Sequence, residues 1–218
     1  MRTIKETFLP RESNLTYPHL PTVRQTGSEC FTLGDQRLPT DLLSFWQWSA
    51  SDLIGNTSRG CLAEYIVAMA LGLTGGVRND WEAYDLQFNQ WNIEVKASAY
   101  LQSWFQKRLC RPSFSIRPAR KWDPHTGEMG REVRRHAHLY VFCLHDHQEK
   151  NTLNPLDLDQ WSFYVVPTIR IETRYPKAER IDLRGVLSLS PYVAKFSDLR
   201  DRVLDGTREL QLTATGQP

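Results

Sequence analysis

Cysteine is scarce in this sequence, and no two cysteines have the spacing of a metal or redox motif. The four cysteines lie at positions 30, 61, 110 and 143 of 218 residues, and none forms a Cys-x-x-Cys pair. This spacing argues against a zinc ribbon and against a thioredoxin-like site. A chain of this length does not depend on a disulfide framework. We therefore expect a protein of a reducing compartment, the cytoplasm.

Long apolar runs are also missing. The longest apolar stretch, residues 61–73, contains Glu64 and is too short to cross a bilayer, so we expect no membrane partner. The first eight residues, MRTIKETF, lack the apolar run of a signal peptide. Hydrophobic residues make up 40% of the chain and charged residues 24%. This composition predicts a globular protein and argues against disorder along the whole chain.

Net charge is small, which by itself does not indicate a nucleic-acid-binding protein. The 27 Lys and Arg residues nearly balance the 25 Asp and Glu residues, for a net charge of +2. The charge is unevenly distributed, however, because residues 107–135 contain nine basic and three acidic residues, with Trp104, Phe105 and Trp122 interleaved. Basic clusters attract phosphates, and aromatic rings can stack on bases. An arginine-rich solvated surface with packing aromatics is the other interpretation.

Hydrophobic periodicity predicts helices early in the chain and strands after residue 83. One helix is expected from Thr40, with Thr40 as its N-cap, and a second from Asn56 to about Leu73, ended by Gly75 and Gly76. The period then changes to two, which predicts strands over residues 83–88, 91–99, 114–117, 138–144 and 161–166. This order predicts a mixed α/β (α+β) fold with a central mixed β-sheet flanked by helices.

Composition divides the chain into three parts. We expect residues 1–58 to form an N-terminal irregular or helical segment that packs on the core. The segment is irregular up to residue 40 because prolines and glycines interrupt any hydrophobic period there. Residues 59–206 make up the main domain. Residues 207–218 form a tail that we expect to be frayed.

Glu64 is the single charged residue of the apolar stretch 61–73. Its helical neighbours Val67, Ala68 and Leu71 are apolar, so the carboxylate shares an apolar face. A lone charge there is unfavourable unless another group pairs with it. The alternative is a solvated glutamate near the start of a helix, favoured by the helix dipole.

Two strands near residue 90 are expected to bring acidic side chains face to face. If Asn89 and Gln90 form a two-residue turn, Asp85 lies opposite Glu94, with Cβ atoms about 4.5–5.5 Å apart. Lys96 lies on the same strand face as Glu94, about 6.5–7 Å further along. Opposed like charges destabilise a sheet, and a raised pKa or a cation between them relieves the repulsion. A solvated, salt-bridged strand face is the other interpretation.

Two converging carboxylates beside an ammonium group favour magnesium chemistry. Hard oxygen ligands hold Mg²⁺ through one or two carboxylates, while substrate phosphate and water complete the octahedron. Such an ion lowers the pKa of a bound water and stabilises charge on a phosphodiester. Lys96 would orient or activate that water, or stabilise the charged transition state. We therefore expect Mg²⁺ as the cofactor, with Mn²⁺ as a substitute.

The sequence resembles the PD-(D/E)xK nuclease superfamily, the restriction-endonuclease-like phosphodiesterases. The resemblance lies in Asp85, in the Glu94-Val-Lys96 triplet and in the preceding helix with Glu64. The resemblance covers about residues 59–167 and implies a restriction-endonuclease-like core, with a central mixed sheet flanked by helices. It also implies that Asp85, Glu94 and Glu64 are metal ligands, and that these three and Lys96 are catalytic. Tyr84 precedes the aspartate where the motif has proline.

The combined prediction is a Mg²⁺-dependent nuclease that hydrolyses phosphodiester bonds in DNA endonucleolytically. The residues expected to contact nucleic acid are Gln102, Lys107, Arg108, Arg117, Arg120, Lys121, Arg134 and Arg135. For Gln102, a polar residue at a helix start is an equally good interpretation. No residue here distinguishes deoxyribose from ribose, so RNA stays open as a substrate.

The alternative function is a non-catalytic nucleic-acid or protein binding module on a nuclease scaffold. The sequence shows no helix-turn-helix and no separate recognition domain. Target specificity would therefore come from loops, from a homodimer or from a partner.

Overall fold

The computed structural model describes residues 17–214, which contain five α-helices and eleven strands. The helices are α1 (Leu42–Ala50), α2 (Asn56–Leu71), α3 (Thr168–Arg174), α4 (Leu183–Ser188) and α5 (Leu199–Ala214). The strands are β1 (Cys30–Leu33), β2 (Gln36–Asp41), β3 (Leu86–Phe88), β4 (Trp91–Ala99), β5 (Ser113–Ser115), β6 (Ala119–Asp123), β7 (Glu128–Arg134), β8 (Leu139–His145), β9 (Trp161–Pro167), β10 (Arg180–Asp182) and β11 (Tyr192–Ala194). Over the described range, none of the helices combines the length and the apolar character that a membrane span requires.

A five-stranded mixed sheet with the order β11-β9-β8-β4-β3 forms the centre of the fold. Strands β4 and β8 are parallel, and the other neighbours are antiparallel. Strand β8 lies in the middle, and all seven of its residues are buried, as its near-continuous apolar run predicts. The predicted class, a mixed α+β fold with a central mixed sheet and helices, is confirmed.

The two faces of the sheet are covered by different elements. Ile66 of α2 and Val203 of α5 share one core with Val95 of β4. On the opposite face, Phe142 of β8 shares a second core with Ile171 of α3, together with residues of α4, β5 and β10. Because side chains alternate along a strand, Glu94 and Lys96 point away from α2, toward the second face.

Helix α5 replaces the frayed tail that the sequence predicts after residue 207. It continues to Ala214, and Leu199 and Val203 are fully buried at its start. At Gly206, a Cβ atom would stand 3.0 Å from Leu139 Cδ2, so the missing side chain lets the helix lie close against the sheet. Packing on the sheet, which local sequence does not reveal, stabilises this mostly polar segment.

Two predicted helix boundaries are shifted. Helix α1 is capped by Asp41, whose carboxylate accepts a hydrogen bond from Ser44 N at 2.9 Å, and not by Thr40. Helix α2 ends at Leu71 because Gly72 adopts a left-handed conformation with φ of 76°. The helix therefore ends before Gly75 and Gly76, the pair that was predicted to end it.

The N-terminal segment is more regular than its prolines suggest. Residues 17–29 contain no helix or strand, but β1 and β2 pair as an antiparallel hairpin before α1. A two-stranded ribbon has only edge strands, which tolerate Pro39. Residues 1–16 and 215–218 lie outside the described residues. The interpretation that the first residues are not a signal peptide, and the two ends of the predicted segments, therefore stay predictions.

Candidate active site

The β3–β4 hairpin aligns the predicted catalytic residues. Phe88 pairs with Trp91 across the turn formed by Asn89 and Gln90, so the predicted register is confirmed. Asn89 has φ of 54°, a conformation that tight two-residue turns require. Strand β3 itself begins at Leu86, three residues later than predicted.

Asp85 lies directly before β3 and binds β4 through both its backbone and its side chain. Its backbone nitrogen donates to Ile93 O at 3.0 Å, and its Oδ2 accepts from Val95 N at 2.7 Å. The side chain thus takes the place of a backbone acceptor. This side-chain hydrogen bond explains why the regular strand begins at Leu86, the residue after Asp85. The same bond holds the Asp85 carboxylate against β4.

Lys96 joins the two carboxylates that the hairpin brings together. Its Nζ lies 2.5 Å from Glu94 Oε1 and 3.8 Å from Asp85 Oδ2. The side chains are partly buried, with exposed fractions of 28% for Lys96 and 19% for each acid. The three groups form one compact cluster with more negative than positive charge, open to solvent on one side.

Electrostatics in this cluster disfavour the ionised aspartate. Burial raises the pKa of Asp85, and the neighbouring Glu94 raises it further, while Lys96 lowers it without cancelling the shift. Burial lowers the pKa of Lys96, but Asp85 and Glu94 more than offset this, so the net pKa is raised. The ammonium is therefore held protonated, and the carboxylates retain a repulsion that a further cation would relieve.

Asp85→Asn is expected to stabilise the protein at pH 7. A carboxyl group whose pKa is raised by folding destabilises the folded state at pH values above that raised pKa, and it has no such effect below its ordinary value of 3.8. The gain in Tm, about 2–4 °C for each kcal/mol relieved, should be larger at pH 8 than at pH 5 and should shrink as the pH falls toward 4. Thermal unfolding across this range is the measurement, with the exposed turn variant Asp35→Asn as the control. A lower Tm at pH 7, or a gain that is independent of pH, would contradict the expectation.

Glu64 lies beside the cluster but is bound to a residue that sequence reasoning did not select. Arg78 donates from Nε to Glu64 Oε2 at 2.5 Å and from Nη2 to Oε1 at 3.0 Å. The Glu64 side chain is only 13% exposed. Arg78 therefore supplies the ion-pair partner that a carboxylate on an apolar helix face requires. Arg78 lies in an irregular loop, and no periodic pattern links it to α2.

Glu64 and Asp85 line one cavity of about 270 Å³, together with Arg78. Among residues 17–214, no group of three or more His, Cys, Asp or Glu side chains is arranged to hold a metal ion. The pairing of Glu64 with Arg78 is consistent with this result, because both carboxylate oxygens face the guanidinium. Asp85 and Glu94 are thus the two candidate ligands that the fold brings together.

Six of the eight residues predicted to contact nucleic acid are exposed. They are Lys107, Arg108, Arg117, Arg120, Lys121 and Arg134. Two of them form ion pairs at the surface: Arg117 with Glu179 at 3.6 Å, and Arg134 with Glu132 at 2.9 Å. Exposed pairs of this kind are weak, so these side chains remain able to bind phosphate.

The other two, Gln102 and Arg135, are buried and make structural contacts. Gln102 Oε1 accepts a hydrogen bond from the buried Arg59 at 3.2 Å. Arg135 donates from Nε to Ile116 O at 2.8 Å and from Nη2 to Tyr175 O at 3.0 Å. Neither side chain faces a surface ligand, and we leave both out of the proposed nucleic-acid surface.

The β6–β7 hairpin brings part of the basic segment close to Asp85 and Glu94. A cavity of about 510 Å³ is lined by Asp85 and Glu94 on one side and by Arg120, Trp122 and Met129 of the hairpin on the other. Pro124 and Gly127, typical turn residues, stand in the loop between the two strands. That the hairpin shares a cavity with the carboxylates is a tertiary arrangement that this local turn signal does not indicate.

Comparison with known proteins finds no matching family model, no matching curated protein and no matching solved structure. The function of the site must therefore be inferred from its own residues.

Proposed function

We propose that this protein is a divalent-metal-dependent nuclease that cleaves phosphodiester bonds within DNA, on a restriction-endonuclease-like core. The observation that carries the proposal is the meeting of Asp85, Glu94 and Lys96 within ion-pair distance. Asp85 and Glu94 line a cavity that is also lined by Arg120 and Trp122 of the β6–β7 hairpin. Carboxylates for a cation, an ammonium for the reacting groups and arginines for the phosphate backbone thus lie together.

The donor set fits a hard divalent cation such as Mg²⁺, with Mn²⁺ as a substitute. Asp85 and Glu94 supply carboxylate oxygens, which are the ligands that these ions prefer. Burial is the main cause of the raised pKa of Asp85, and the repulsion from Glu94, which is the second cause, is what a bound cation would relieve. A bound cation would supply Lewis-acid stabilisation of the phosphodiester and lower the pKa of water.

The side chains of the chain itself have separate roles in the proposed hydrolysis. Asp85 is held by the Val95 amide, so its carboxylate is positioned before any ligand binds. Lys96 is protonated and can donate hydrogen bonds to the attacking water or to a phosphate oxygen. Water adds to phosphorus, the bond from phosphorus to a sugar oxygen breaks, and that oxygen leaves with a proton.

Metal dependence gives the direct test. In Mg²⁺, the wild-type protein should cut at least one of two substrates that have no ends, supercoiled plasmid or circular single-stranded DNA, and EDTA should stop the reaction reversibly. Mn²⁺ should raise the Tm of the metal-free protein. At a Mn²⁺ concentration 100 times Kd, the expected gain in the free energy of unfolding is about 2.7 kcal/mol. In Asp85→Asn, both the cleavage and the thermal shift should be lost. Cleavage that persists in EDTA, or a protein that Mn²⁺ does not stabilise, would contradict the proposal.

The ion pair between Glu64 and Arg78 favours a second candidate, a non-catalytic nucleic-acid binding module on the same scaffold. With both Glu64 oxygens facing a guanidinium, two carboxylates are left for a cation. A protein that binds DNA, but neither binds Mn²⁺ through Asp85 and Glu94 nor cleaves DNA, would establish this second function. Calorimetric titration of Mn²⁺ into the wild type and into Asp85→Asn separates the two candidates.

A further inference from the structure

The cavity beside the carboxylates has an aromatic wall that the proposed hydrolysis does not use. Trp81, in the loop before Asp85, and Trp122, on β6, both line it, and their ring centroids lie 4.8 Å apart at an interplanar angle of 50°. Trp81 is 57% exposed. Burial alone therefore does not explain why a large indole stands at this position.

Charge decides which part of a nucleotide fits against these rings. Asp80 and Glu82 line the same cavity as Asp85 and Glu94, and Arg120 is the one arginine or lysine among the lining residues. Arg78 pairs with Asp80, and Lys96 pairs with Asp85 and Glu94, so the phosphate that is cleaved can lie at Lys96. The negative charge that remains disfavours a second phosphate inside the cavity, but it does not disfavour a neutral base. Further phosphates are better placed outside the cavity, on the exposed hairpin residues Lys121 and Arg134.

The ring geometry also leaves an indole face available. Rings inclined at 50° do not stack face to face, so the two indoles do not fully cover each other's faces. Stacking of a base on an aromatic side chain requires such a face and tolerates every base. A base within duplex DNA already has both faces covered by its neighbours, so it must leave the stack before it can reach an indole.

We propose that this cavity takes an unstacked base of a single-stranded polynucleotide, stacked on Trp81 or Trp122, so that the adjoining phosphodiester lies at Asp85, Glu94 and Lys96. The inference rests on the proposed function and adds the substrate class, which is single-stranded rather than duplex DNA. The β6–β7 hairpin then acts as one wall of the binding cleft, with Trp122 facing the base and its exposed lysine and arginines facing the backbone.

Binding in EDTA tests this inference without cleavage. Fluorescence anisotropy should show that a labelled 20-residue oligothymidylate binds wild-type protein at least about tenfold more tightly than a 20-base-pair duplex. Trp81→Ala and Trp122→Ala should each weaken binding of the single strand by about tenfold, while Trp122→Phe should retain most of the affinity because a ring remains. Trp48→Ala is the matched control, since Trp48 is an exposed indole that does not line the cavity.

The outcomes separate this inference from the proposed function. Tryptophan-dependent binding of the single strand without Mg²⁺-dependent cleavage would support the base site and overturn the nuclease. Equal affinity for single strand and duplex, with no effect of Trp81→Ala or Trp122→Ala, would overturn the base site even if Asp85-dependent cleavage were found. Deoxyribose and ribose oligomers of one sequence identify which sugar the cleft accepts, because stacking itself does not distinguish them.

Discussion

Replacing Lys96 by methionine is expected to lower the rate of DNA cleavage by about 10²–10³-fold, the usual effect of removing a positioned donor that stabilises charge in the transition state. The ammonium lies 2.5 Å from Glu94 and is held protonated beside two carboxylates. It can therefore stabilise charge that develops on phosphate or water in the transition state. Methionine keeps an unbranched stem of similar length, so the partly buried position stays filled.

Metal binding should respond to Lys96→Met in the opposite direction. Removing the ammonium leaves Asp85 and Glu94 without their shared cation, so their affinity for Mn²⁺ should be retained or increased. Single-turnover cleavage and Mn²⁺ calorimetry on the same preparation measure the two effects. Lys121→Met, a change of an exposed lysine on the hairpin, serves as the control and should cost only modest DNA affinity. Full activity in Lys96→Met would remove Lys96 from the proposed site.

Arg135→Met is expected to destabilise the protein by about 3–5 kcal/mol. The Arg135 guanidinium donates to the carbonyl oxygens of Ile116, Tyr175, Pro176 and Ala178. Each buried carbonyl that loses its donor costs about 1–3 kcal/mol, and water can replace the donor where the carbonyl is reached by solvent. Without this side chain, the loop after α3 loses its attachment to the segment that follows β5.

Arg134→Met provides the matched control for this stability prediction. Arg134 is the neighbouring residue and is exposed, so its loss should change the free energy of unfolding by less than about 0.5 kcal/mol. Urea denaturation and DNA affinity measured for both variants should give opposite patterns, with lost stability for Arg135→Met and weaker DNA binding for Arg134→Met. An Arg135→Met protein with wild-type stability and weakened DNA binding would place Arg135 on the nucleic-acid surface after all.

The parts of the candidate site that could be predicted from sequence are those that depend on neighbours along the chain. Alternation places Glu94 and Lys96 on one face of β4, and the two-residue turn sets the register that brings Asp85 to that strand. The burial of β8 follows equally from its apolar run. Each of these features spans about twelve residues or fewer, a distance over which backbone geometry fixes where side chains point.

The features that could not be predicted join segments far apart in the chain. Glu64 finds its partner in Arg78 across a loop without periodicity. Arg135, adjacent to an exposed arginine, turns inward to carbonyl groups some forty residues away. Residue type alone does not separate Arg134 from Arg135, because an arginine binds phosphate and backbone oxygen with the same donors.

The sequence by itself thus determined the mixed α/β class, the central strands and the hairpin that presents Asp85, Glu94 and Lys96. Only the tertiary structure decided that Arg78 binds Glu64, that Gln102 and Arg135 are buried, and that Trp122 of the β6–β7 hairpin lines one cavity with Asp85 and Glu94. The physical reason is that periodicity and turn chemistry act between neighbouring residues. The burial of a charge and the lining of a cavity depend instead on how distant elements pack.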